Sequence, residues 1–83
     1  MIQVRVMNNN ASVTLNIPET NTIADALRAA EEAEPRLVFD PSKTVSLSGD
    51  FYAPGELGKT FEQAGIPNGG SCFVSLITKS VNA

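Results

Sequence analysis

Between Ala53 and Thr60 the chain reads APGELGKT, which ends in the Gly-Lys-Thr of a phosphate-binding loop but starts on alanine where such loops start on glycine. A phosphate loop needs a strand before it and a full helix after it, so that backbone amides and the helix dipole meet the phosphates. Here Gly65-Ile66-Pro67 stops any helix after about one turn, and no second acidic strand end is at hand for magnesium. Cys72 is the only cysteine and there is no histidine at all. A thiol becomes a nucleophile through a neighbouring base, and the commonest one is missing together with the commonest transition-metal ligand. A single cysteine also rules out an internal disulfide, a cysteine-ligated zinc site or an iron–sulfur cluster, and it suits a reducing compartment. Glu31, Glu32 and Glu34 collect negative charge without a turn that would gather their oxygens, so they read as a solvated helix end and not as a calcium site. These residues predict no catalytic group, no cofactor and no metal. The expectation is a non-enzymatic protein.

Composition narrows the partners. The chain has 83 residues, 42% of them hydrophobic and 18% charged, which is enough for one globular domain with a single modest core. Its formal charge of −3 runs against nucleic acid and acidic membrane surfaces, which select clustered Lys and Arg. The start, MIQVRVM, lacks the basic and apolar regions of a secretion signal, and no apolar run approaches membrane-spanning length. A cytoplasmic protein with a protein partner is expected, itself a monomer or a weak homodimer.

The elements follow from periodicity. Ile2, Val4 and Val6 alternate with polar or longer residues, as do Val13, Leu15 and Ile17, with Asn8-Asn9-Asn10 between them, and this predicts an N-terminal hairpin. Ile23, Ala26, Leu27 and Ala30 hold the i, i+3, i+4, i+7 spacing of one helical face. Thr22 and Asp25 form the start signal, and Glu34, restricted by Pro35, marks a stop near Ala33. A connection with Leu37 to Phe39 packed and Asp40-Pro41 turning leads to Val45 and Leu47. Gly49-Asp50 reads as a tight turn into Phe51-Tyr52. Thr60 to Ala64 predicts one helical turn capped by Gly65, and Asn68-Gly69-Gly70 turns into a last strand from Cys72 to Ile77. One domain is expected over residues 1–78, with a frayed polar tail over 79–83.

Taken together these stretches resemble a known family. VTLNIPETNTIADAL is similar to the second strand and helix start of ubiquitin-like proteins, and KTFEQAGIPNGGSCFVSL resembles their closing segment. The hairpin VSLSGDFYAP is closer to the small sulfur carriers of thiamine and molybdopterin synthesis, which share the β-grasp fold. The resemblance implies an α+β fold with a mixed four- to five-stranded sheet and one main helix on one face. Fold alone leaves function open. Modifiers and sulfur carriers of this kind act through a C-terminal Gly-Gly, whereas Gly69-Gly70 here precedes the last strand and the sequence ends Thr78-Lys79-Ser80-Val81-Asn82-Ala83. The expectation is therefore a non-covalent interaction module, an adaptor or accessory subunit. The alternative is a sulfur carrier or covalent modifier whose C-terminus is remade or processed.

Strand parity then selects a surface. With Cys72, Val74 and Leu76 toward the helix, Phe73 and Ile77 point the other way, beside Arg5 and Met7 of the first strand. In ubiquitin-like proteins the matching face is the usual docking surface, so Arg5, Met7, Phe73 and Ile77 are the expected protein-binding residues. Cover by the tail or by the 35–42 connection is the other placement open to Phe73 and Ile77.

Overall fold

A computed structural model of the chain describes residues 1–40 and 42–76. The order is β1 (Ile2–Met7), β2 (Ser12–Ile17), α1 (Ile23–Ala33), β3 (Val45–Leu47), β4 (Asp50–Tyr52), a 3-10 turn (Pro54–Glu56) and β5 (Ser71–Ser75). This is an α+β arrangement: one five-stranded mixed sheet in the order β2-β1-β5-β3-β4, with one helix. β1 runs antiparallel to β2 and parallel to β5, so the expected central pairing of first and last strands is present.

Helix α1 starts where its local chemistry requires. The Asp25 amide donates to Thr22 Oγ1 (3.1 Å) and the Thr22 amide donates back to the Asp25 carboxylate (3.2 Å), which satisfies two otherwise orphaned donors. It ends at Ala33, and Glu34 is already extended before Pro35. Ile23, Ala26, Leu27 and Ala30 are buried against Ile2, Val4 and Val6 of β1 and Cys72 and Val74 of β5. Val45 and Leu47 complete that floor, while Val13, Leu15 and Leu76 pack at its margin and stay half-buried.

Several expectations need correction. The β3–β4 turn is made by Ser48 and Gly49, because Leu47 pairs with Asp50 and so Asp50 belongs to the strand. Both turn residues have positive φ (49° and 95°), as the hairpin turn that matches strand twist requires, and a serine there is the unusual choice. β5 begins at Ser71 and ends at Ser75, one residue earlier at its start than the pattern indicated. Thr60 to Ala64 make a single turn as expected, with the Ala64 amide donating to Thr60 O (3.0 Å), and Gly65 takes the expected left-handed conformation (φ 92°). In the 35–42 connection Leu37 is buried, Phe39 is partly buried and Val38 is 66% exposed, so that stretch is packed only in part. Pro41, Ile77 and the expected tail 79–83 lie outside the described residues.

Leu37 is packed as expected, but Leu57 and Phe61 were not expected in the core. Phe61 is the largest fully buried side chain and is held by its neighbours' backbone: its amide donates to Asn21 O (3.2 Å), and Thr60 bridges Thr22. Its own turn repeats the cap logic of α1, with the Gln63 amide donating to Thr60 Oγ1 (3.0 Å) and the Thr60 amide to Gln63 Oε1 (2.9 Å).

Candidate docking face

The sheet has one face under α1 and one free of it, and strand registry decides what the free face carries. Arg5 sits between Thr14 on β2 and Phe73 on β5. In the next row Met7 lies beside Ser12 and Ser75, Ser75 beside Ser46, and Ser46 beside Phe51. Partners in registry share a face, so Arg5, Met7, Phe73 and Phe51 all belong to the side away from the helix. The strand parity thus brings Arg5, Met7 and Phe73 together as expected. Phe73 is 49% exposed, and no described residue of the 35–42 connection lines the depression around it. Ile77, the fourth expected residue, lies outside the described residues.

Phe51 escaped the sequence reading, although it is the more exposed aromatic at 69%. The signal was available. Phe51 falls opposite a serine of the open face with the turn placed at either Ser48-Gly49 or Gly49-Asp50, so parity alone would have put it there.

Around Phe73 the face dips into a shallow depression of about 430 Å³ lined by Gln3, Arg5, Thr14, Ser48, Ser71 and the ring itself. Ser48 fixes one wall: its amide donates to Phe73 O (2.8 Å), and its hydroxyl accepts from the Phe73 amide (3.4 Å). Among the described strand positions of this face Arg5 alone is charged, and among the described residues no carboxylate pairs with it. An unneutralised cation beside an aromatic ring on a serine-rich floor can accept an apolar side chain and a carboxylate together.

The chemically suggestive residues have other employment. Lys59 Nζ contacts Glu56 Oε2 (3.4 Å), while the carbonyls of Leu57 and Lys59 accept the Ala24 and Ile23 amides (3.0 Å each). The APGELGKT segment therefore presents carbonyl oxygens to the start of α1 and serves as its docking strap. A phosphate loop would turn amides toward its ligand. Cys72 is in the core, and burial pushes its thiol up to about 11, far from a thiolate at neutral pH. Among the described residues no three carboxylates, cysteines or histidines gather as a metal site, and no helix is long and apolar enough to cross a membrane.

No protein-family model matches the chain, and a search of curated proteins finds no significant relative. Geometry is what remains to argue function from.

Proposed function

We propose that the chain is a ubiquitin-like β-grasp domain that works without catalysis, as a cytoplasmic interaction module docking a protein partner through the open face of its sheet. The hairpin, the single helix and the central parallel β1–β5 pair are compatible with that fold. The observation that carries the reading is the pairing of Phe73 with Arg5 on a face the helix leaves free, with Phe51 and Met7 beside them. Aromatic, Met and Arg side chains are the types enriched in protein interfaces, and a few such anchors dominate binding energy. Ile77 joins this set on strand parity. The function is accordingly that of an adaptor or accessory subunit.

The test is a pull-down from native cells with wild-type, Phe73→Ala and Phe51→Ala baits whose melting temperatures are measured in parallel. Proteins held by the wild type and released by both variants, at unchanged stability, support the reading. Identical capture by all three baits removes the face from consideration.

A further inference from the structure

The two edges of the sheet are built differently. β4 is three residues long, carries Asp50 and is followed by Pro54, devices that discourage another strand from pairing. β2 is six residues long, Ser12-Val13-Thr14-Leu15-Asn16-Ile17, with no charge, proline or bulge. Its hydrogen-bonding parity can be worked out. The Asn8 amide donates to Ala11 O (3.0 Å), which makes Asn8–Ala11 a bonded pair. Alternation then directs the backbone groups of Val13, Leu15 and Ile17 to β1 and those of Ser12, Thr14 and Asn16 outward. The other side of β1 agrees: the Gln3 amide donates to Gly70 O (3.1 Å) and Met7 O accepts from Leu76 (2.8 Å), so the odd residues of β1 serve β5. Among the described residues no loop or turn backbone bond reaches the outward groups of β2.

We propose that this edge pairs with the same edge of a second copy, as an antiparallel β2–β2 dimer with Thr14 on the two-fold axis. In that registry Thr14 exchanges backbone bonds with Thr14 of the second copy and Ser12 with Asn16, so every outward donor meets an outward acceptor. The facing side chains are compatible as well. Thr meets Thr and Ser meets Asn on the open side, and Val13 meets Leu15 on the helix side, where both are half-buried in the single copy. Lack of charge is what suits this edge to itself, because a chain with net charge −3 pairs with its own copy only where like charges are kept away. A two-fold perpendicular to the sheet puts both open faces on one side of a continuous sheet. A single strand edge covers less than a standard interface, so the dimer is weak and forms with rising concentration.

Sedimentation of the full chain over roughly the micromolar-to-millimolar range reads the dimer directly. Thr14→Glu sets a carboxylate against its own copy at the axis while placing it beside Arg5 within one chain. It should raise the dissociation constant by about tenfold or more with the fold retained by circular dichroism. Phe73→Ala should leave the constant unchanged. Independently of any folding defect in the glutamate variant, Thr14→Cys should cross-link to itself on mild oxidation, since about 5.5 Å between bonded-pair Cα atoms lies within disulfide reach. Asp50→Cys, on the opposite edge, should not. A chain that stays monomeric throughout overturns the proposal. So does a dimer that survives Thr14→Glu, one dispersed by Phe73→Ala, or cross-linking through Asp50→Cys in place of Thr14→Cys.

Discussion

Phe73 and Cys72 are neighbours in sequence with opposite fates, and each makes its own prediction. Phe73 stands half-exposed on the open face, with its backbone fixed by Ser48 and its ring outside the buried cluster. Phe73→Ala should change stability by less than about 0.5 kcal/mol, as surface substitutions do, while weakening partner binding by about 1–3 kcal/mol. Denaturant titration and partner binding on the same samples check both halves, and an unfolded variant would place the ring in the core. Arg5→Ala should chiefly slow association and flatten its salt dependence, the behaviour of a rim charge. Cys72 behaves in the opposite way because it is buried. Its thiol ionises at an ordinary 9.0 when unfolded and at about 11 when folded. Below 9.0 the proton is bound in both states and costs nothing; between the two values the unfolded chain ionises first, so stability falls as pH rises through about 11. Cys72→Ala should remove that part of the alkaline loss. Parallel melting curves at pH 8 to 11 for wild type and variant would reject the assignment if they keep a constant separation.

Helix α1 was legible because its signals are local and redundant. Apolar spacing, a reciprocal cap and a following proline all mark the same segment, and Ile23–Ala33 is the result. Leu27, fully buried, should cost about 2–5 kcal/mol on truncation to alanine, whereas Thr22→Ala, which removes the cap hydroxyl, should cost about 0.5–2 kcal/mol. Urea midpoints in that order support the assignment of the helix face; a negligible loss at Leu27 contradicts it. The core residues outside regular elements could not be read in this way. Leu57 and Phe61 stand among polar neighbours with no period, and only the folded chain shows that Phe61 is buried next to the start of α1, its amide bonded to Asn21 O. The β3–β4 turn slipped by one residue because Gly-Asp advertises a turn more loudly than Ser-Gly, yet registry with Val74 of β5 places Leu47 in the core and forces Ser48 into positive φ. The open face was legible through parity, which is insensitive to strand ends. The same parity holds in the short β3–β4 hairpin, where Phe51 lies opposite Ser46 on the open face.

At the scale of the whole molecule, charge sets the response to acid. No side chain of this histidine-free sequence has an ordinary pKa between the carboxylates and the thiol, so stability should be level from about pH 5 to 7. Below that range the acids decide. The Arg36 guanidinium beside Glu34 (2.7 Å) holds that carboxyl below its usual 4.5, the Ser42 hydroxyl does the same for Asp40, and the Ala53 amide for Glu56. Each group binds its proton less readily when folded than when unfolded. The stability each contributes is therefore complete above about 4.5 and is lost as pH falls through the lower folded value. All are partly exposed to solvent, so salt should blunt the effect. Arg36→Ala isolates one member, because it takes away the first cause of Glu34's shift and leaves the backbone bond from residue 36. Its urea midpoint at pH 7 should lie slightly below that of the wild type, and the gap should narrow at pH 3, where the protonated acid no longer rewards the cation. A gap that stays constant between the two pH values would show that the Glu34–Arg36 pair does not govern acid stability, and that the loss belongs to the other acids held below their usual range, Glu19, Asp40 and Glu56.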